Sequence, residues 1–204
     1  MSALVGTSSG LRVAVALGLS GSAWCSGAIM SFSTFSIPTL FDPIPSVFAN
    51  TNTLSLGQAP SIWEHLYNRG KKTMPPIAAT AALAFGYAAY YLVEDLSSSS
   101  KSAQSKLVLE SVLRTRNLLA LAGALTVMIV PYTLAVMKKT NAALGVKASE
   151  ARERAKKGEV LGLSVGEKEE AEVSRLLKRW NMLNTGRALF PLAGCILGIV
   201  AVFF

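Results

Sequence analysis

The sequence predicts an all-α fold, an integral membrane bundle of four transmembrane helices with a long charged, partly helical third loop. Three observations lead there. Apolar residues make up 51% of the 204 positions and charged residues only 16%, where a soluble domain carries roughly a quarter. Four stretches reach the roughly 20 mostly apolar residues that a bilayer crossing needs. The 20 Lys and Arg fall almost entirely between those stretches. Mean hydropathy is +0.41, and the length suits a single membrane domain over residues 1–204. The net charge of +8 fits a positive-inside membrane topology better than nucleic-acid binding, so no nucleic-acid partner is expected.

The first span, 13–40, is rich in Gly, Ala and Ser. Gly18, Ser22 and Ser26 make a small-residue stripe at four-residue spacing, the kind that lets helices approach in lipid. A cleaved signal peptide is the rival reading, with one early Arg, an apolar core and small residues after it. Against that, the apolar run continues past Trp24 and Cys25 through Ile37. After a long early loop comes the second span, 74–93, then a serine-rich connection at Ser97–Ser100. The third span, 118–137, carries no charge, and Pro131 within it predicts a kink beside Tyr132 and Thr133. Lys138 to about Arg179 forms the charged loop. Ala148–Lys157 and Glu167–Arg179 are expected helical within it, separated by Gly158, Gly162 and Gly166. The fourth span, 183–204, contains Gly194 and Gly198 as a GxxxG, whose plain reading is packing against the first span and whose alternative is homodimerisation.

Basic residues set the orientation. Arg69, Lys71 and Lys72 in the first loop join twelve between Lys138 and Arg187, fifteen in all. The opposite side has five: Arg12, Lys101, Lys106, Arg114 and Arg116. This puts the first and third loops in the cytosol and both termini in the lumen. An endomembrane is expected, since no Arg-rich amphipathic leader opens the chain.

Two polar-aromatic clusters stand out. Trp180, Asn184, Arg187 and Pro191 are spaced by four, three and four, so a helix puts them on one face at the mouth of the last span. Polar groups at that depth are costly and point at a partner or a cavity, although Arg187 could also snorkel to headgroups. Trp63, His65, Tyr67, Arg69 and Lys71 precede Pro75-Pro76 on the same predicted side. An interfacial aromatic belt is the simpler reading of Trp63 and Tyr67, and a headgroup position that of His65. A metal site is hard to build with one histidine and scattered carboxylates. No glycine-rich nucleotide or flavin motif and no Ser-His-Asp arrangement is legible.

Three patterns carry a family resemblance: Trp63…Tyr67-Asn68-Arg69-Gly70-Lys71…Pro75-Pro76, then Pro131-Tyr132-Thr133-Leu134…Met137…Thr140-Asn141…Leu144, then Trp180…Leu183-Asn184…Arg187-Ala188-Leu189…Pro191-Leu192. In order, spacing and placement against the spans they resemble the motifs of the DUF1772 or anthrone oxygenase family of small four-helix membrane proteins. Lys138-Lys139 depart from the second motif, where less charge and often a proline is expected. The resemblance implies oxidation of a polyketide anthrone to an anthraquinone with dioxygen as co-substrate and no metal or organic cofactor. An anthrone has a doubly benzylic methylene opposite a ketone, and its deprotonation gives an electron-rich aromatic anion able to reduce dioxygen directly. On this reading Arg187 and Asn184 hold the anion and His65 is the base. Trp24, Trp180 and Tyr132 supply ring-stacking surface, with Trp63 and Tyr67 beside them, and Thr133 and Asn141 offer polar contacts. Expected partners are membrane lipid, an aromatic polyketide substrate and a polyketide synthase or thioesterase supplying it. A non-catalytic membrane scaffold or metabolite-handling protein is the alternative. A pore is disfavoured by the apolar third span.

Overall fold

A computed structural model describes residues 7–41, 58–99, 106–158 and 166–203, all helix and short turns, with no strand among them. Helix α1 (Ser9–Ser31) runs into a π-helical turn (Phe32–Ser36) and a 3-10 turn (Pro38–Leu40). Then follow α2 (Ala59–Ser99), α3 (Lys106–Val127), α4 (Ile129–Ala135), α5 (Lys138–Lys156) and α6 (Glu167–Phe203). Among the described residues four stretches are long and apolar enough to cross a membrane: Ser9–Leu40, Ala59–Glu94, Leu109–Ala135 and Glu167–Phe203.

Three of the helices are longer than the apolar runs that mark them. Residues 59–73, expected as loop, are the first turns of α2, and Pro75 and Pro76 lie inside that helix. The carbonyls that the two prolines leave without an N–H belong to Lys71 and Lys72, both exposed, where a polar surrounding can serve them. Residues 138–147 were also expected as loop, yet α5 begins at Lys138. Thr140, Leu144, Ala148 and Ala151 bury one face of it at helical spacing, a stripe hidden in the sequence by the lysines and Gly145 around it. Glu167–Arg179 is helical as expected and continuous with the last span in α6. The predicted break at Pro131 is present: α3 ends at Val127, whose carbonyl the proline ring would strike, and α4 starts at Ile129. Gly158, at φ +74°, ends α5 in the left-handed conformation that glycine tolerates best.

The chain divides into two compact units. The first comprises Met1–Gly27, Met74–Pro131 and Ala188–Phe204. Its centre is Phe85, fully buried among Leu11, Val15, Leu92, Leu119 and Ala122. Glycines from two helices make room for that ring. A Cβ on Gly18 would stand 2.7 Å from it and one on Gly198 2.9 Å, while one on Gly123 would stand 3.3 Å from the Phe85 Cβ. Lipid gives no hydrophobic drive between helices, so such close approaches and buried hydrogen bonds carry the packing. The Ser22 and Thr126 hydroxyls meet at 2.6 Å, and Ser26 Oγ donates to the Ala188 carbonyl at 3.0 Å. Gly194 faces Thr126 and Ala122 of α3, and only Gly198 of the GxxxG meets α1, at Leu19.

The second unit comprises Ala28–Thr73 and Tyr132–Arg187. Its core is Ile37, Ala59, Trp63, Met137, Leu144, Val173, Leu177 and Trp180. Around it ion pairs tie α5 to its neighbours: Arg152 to Glu64 at 2.9 Å, Lys147 to Glu172 at 3.1 Å, and Arg154 to Glu169. Burial pulls the Lys147 pKa down, but hydrogen bonds to Glu172 and Glu150 outweigh it and hold the amine above its ordinary value. These half-exposed pairs contribute little each, on the order of 0–1 kcal/mol.

Gly18→Ala and Gly198→Ala should each lower the thermal midpoint of the detergent-solubilised protein, because overpacking of this kind costs about 1–3 kcal/mol. Gly86→Ala, where a Cβ meets nothing within 4 Å, should leave it unchanged or raise it. Equal midpoints for all three would contradict the packing around Phe85.

Candidate functional site

The site is built in the second unit from the face of α6 that carries Trp180, Asn184 and Arg187. Asn184 is 0% exposed, and both N–H donors of its amide and one lone pair of its oxygen are used. Nδ2 donates to the Ile29 carbonyl at 3.0 Å and to Ser33 Oγ at 2.9 Å, and Oδ1 accepts from Arg187 Nη2 at 2.7 Å. Ser33 sits in the π-helical turn, where the Ile37 N–H reaches back to the Phe32 carbonyl at 2.9 Å. Such wide turns collect at functional sites. Ser33 in turn donates to the Asn181 carbonyl at 3.4 Å.

Arg187 therefore has one nitrogen fixed by Asn184. A second, Nη1, donates to Thr133 Oγ1 at 3.1 Å. Both partners are neutral. Among the described residues no carboxylate pairs with this guanidinium, and its buried Nε has no acceptor. The Tyr67 and Tyr132 hydroxyls are near enough to interact with it electrostatically. Gly186 lies under Tyr132, where a Cβ would come within 3.2 Å of the Oη.

A second network adjoins on α2 and α5. Trp63, 1% exposed, stacks on Tyr67 with ring centres 5.1 Å apart and meets Trp180 edge-on at 6.0 Å. Trp180 Nε1 donates to Asn141 Oδ1 at 2.9 Å, and Asn141 Nδ2 donates to Tyr67 Oη at 3.3 Å. Trp63 is thus core, which rules out an interfacial belt for this ring. Three buried polar atoms lack a partner among the described residues, Trp63 Nε1, Asn181 Oδ1 and Arg187 Nε, and all three belong to this unit. Native interiors rarely tolerate such groups without a reason.

Between these networks lies a narrow cleft of about 310 Å³, its open mouth included. Phe32, Ile37, Leu66 and Trp180 form its apolar walls, and Tyr67, Lys71 and Arg187 bring polar groups to it beside Gly70. Its interior has room for roughly one water.

Of the residues singled out in the sequence, Arg187, Asn184 and Thr133 come together, as do Trp63, Tyr67, Asn141 and Trp180, and Tyr132 adjoins Arg187. His65 does not join them. It is exposed and lies about 200° round α2 from Trp63. Trp24 is 52% exposed and belongs to the first unit. The structure adds Phe32, Ser33 and Lys71, which the sequence did not single out for the site. Ser33 is one serine among many in the first span, and only the π-helical turn distinguishes it. No three of His, Cys, Asp and Glu gather in a metal-binding arrangement among the described residues.

Asn184→Leu removes the three hydrogen bonds while roughly keeping volume, and should destabilise the protein by about 3 kcal/mol, read as a fall in thermal midpoint. Ser33→Ala should cost about 1 kcal/mol. An unchanged midpoint for Asn184→Leu would contradict the network.

The comparisons with known proteins agree with one another. A family model described as anthrone oxygenase matches residues 63–197. An anthrone oxygenase of Aspergillus fumigatus is 32% identical over 91% of this chain and 90% of its own. The noranthrone monooxygenase of Aspergillus flavus is 30% identical over 90% of this chain and 70% of its own. An anthrone oxygenase of Claviceps purpurea is 30% identical over 90% and 85%. No solved structure matches. The chain belongs to the anthrone oxygenase family.

Proposed function

We propose that this protein oxidises an anthrone-type polyketide to the corresponding anthraquinone with dioxygen, using neither metal nor organic cofactor, in secondary metabolite biosynthesis. The observation that carries the proposal is Arg187, a largely enclosed cation on a cleft, held by two neutral partners and matched by no carboxylate among the described residues. A positive charge in an apolar surrounding calls for an anion. The anthrone enolate supplies one, spread over a flat ring system that suits walls of Phe32, Leu66 and Trp180. The names of the relatives support the same chemistry.

Loss of one methylene proton aromatises the central ring and places negative charge on the oxygen opposite. Arg187 stabilises that oxygen most in the anion and least in the ketone, which is the differential binding that lowers a barrier. The anion passes an electron to dioxygen, the two radicals combine at the methylene carbon, and the O–O bond breaks as the second hydrogen leaves. The sum is CH2 plus O2 giving C=O plus water, balanced without another reductant. Asn184 has no donor left for the substrate, so its part is to aim Arg187. His65 faces away from the cleft, so water at the mouth takes the first proton. The three fused rings exceed the room inside, so binding moves the Phe32 and Leu66 side chains away from the fixed aromatic wall of Trp63, Tyr67 and Trp180.

The four helices among the described residues that are long and apolar enough to cross a membrane support a bilayer setting for this chemistry, where a poorly soluble substrate partitions. In this reading the membrane is an endomembrane, the first and third loops are cytosolic and both termini lumenal, and a polyketide synthase or thioesterase delivers the substrate from the cytosol. A glycosylation acceptor inserted within 101–105 should be modified and one within 159–165 should not. The reverse pattern would overturn the orientation.

The activity test mixes purified protein with emodin anthrone under anaerobic conditions and follows quinone absorbance after an oxygen pulse, against a protein-free control and a chelator-treated sample. Acceleration over autoxidation should survive chelation and His65→Ala, and fall by about 10²-fold or more in Arg187→Gln. Full turnover in folded Arg187→Gln would sink the anion-holding role. No acceleration by the folded wild type would favour a scaffold.

A further inference from the structure

Tyr67 enters the cleft with its hydrogen-bonding polarity already decided. Indole Nε1 can only donate, so the contact from Trp180 at 2.9 Å fixes Asn141 Oδ1 as the acceptor and removes any ambiguity about which way the amide is turned. Asn141 Nδ2 must then face Tyr67, and its N–H enters the phenol oxygen at 3.3 Å. That oxygen is thereby an acceptor toward Asn141, and its own proton has to be spent elsewhere. Tyr67 has no other hydrogen-bonding partner among the described residues. The ring cannot turn away easily, since it is stacked on buried Trp63 at 5.1 Å and 10°. What Tyr67 does face is the cleft it shares with Arg187.

We propose that the Tyr67 hydroxyl is the second donor of the anion site, giving its proton in a hydrogen bond to the same substrate oxygen that Arg187 attracts, with Asn141 and Trp180 as positioning residues that aim it. This rests on the proposed anthrone oxidation. A chain of donors ending at a developing oxyanion polarises in one sense, each hydrogen bond strengthening the next. It also makes the two networks of the site converge on one ligand atom, Asn184 aiming the cation and Asn141 aiming the phenol.

The test is binding of emodin, a hydroxyanthraquinone, to the full detergent-solubilised chain, followed through the long-wavelength band of its ionised form across a pH series. Tyr67→Phe keeps the ring and its stack. It should weaken binding about tenfold and raise the pH at which the bound ligand ionises. Asn141→Asp keeps the bond from Trp180 but draws the Tyr67 proton to itself, and should show the same two effects at least as strongly. Trp180→Phe trims a wall of the cleft and so should weaken binding in both backgrounds, but clearly less in the Tyr67→Phe background, where there is no phenol left to aim. A merely structural role for Trp180 gives losses that multiply instead, and that result would overturn its positioning role. Wild-type binding and ionisation in Tyr67→Phe, with both lost in Arg187→Gln, would overturn Tyr67 as donor and leave the anthrone reading standing. Wild-type behaviour in both variants would overturn the anthrone reading as well.

Discussion

One constraint organises the second unit of this protein: a guanidinium must be kept charged in apolar surroundings without a counter-ion among the described residues. Arg187 is the only cation that the fold encloses in this way among the described residues. Its supports are a buried amide and a threonine hydroxyl. Neutral acceptors fix where it points without cancelling its charge. A carboxylate at Asn184 would hold it more tightly and leave nothing for a ligand. The amide is itself locked by Ile29 and Ser33, so the π-helical turn in the first span contributes to where the cation stands.

The aromatic side of the site follows a parallel logic. Trp63, Tyr67 and Trp180 bury a large area with few rotatable bonds, which makes a rigid wall suited to a planar ring. Their polar edges are joined through Asn141, so the amides of Asn141 and Asn184 play matching parts. In the first unit the demand is different. Close helix approach around Phe85, bought with glycines and two hydroxyl contacts, holds the spans where lipid offers no hydrophobic drive. The two kinds of packing suit the two tasks, one apolar and dense, the other polar and directional.

The spans were legible because a bilayer imposes its length on the sequence: the apolar runs at 74–93 and 118–137 carry no charge, and the run at 183–204 carries only Arg187. Their extensions were not. Residues 59–73 and 138–147 are helices whose buried stripes alternate with lysines and arginines, so hydropathy reads them as loop. Four-three-four spacing puts Trp180, Asn184, Arg187 and Pro191 on one helical face. The same spacing is silent about what lies opposite, and so gave no hint that Asn184 spends both donors on Ile29 and Ser33. His65 drew attention as the sole histidine, a chemical argument that ignores helical phase, while Lys71 on the cleft-facing side looked like a headgroup anchor. Trp24 lies in an apolar run where an aromatic ring can face lipid as readily as a pocket, and its exposure places it on the outer surface.

The central claim is that Arg187 is the counter-charge for an oxygen of a bound aromatic polyketide. A structure of the full chain with a hydroxyanthraquinone product bound tests it most directly. The account requires the rings between Phe32, Leu66 and Trp180 and a ligand oxygen within hydrogen-bonding distance of Arg187. A ligand seated elsewhere, with Arg187 turned to solvent or headgroups, would contradict it.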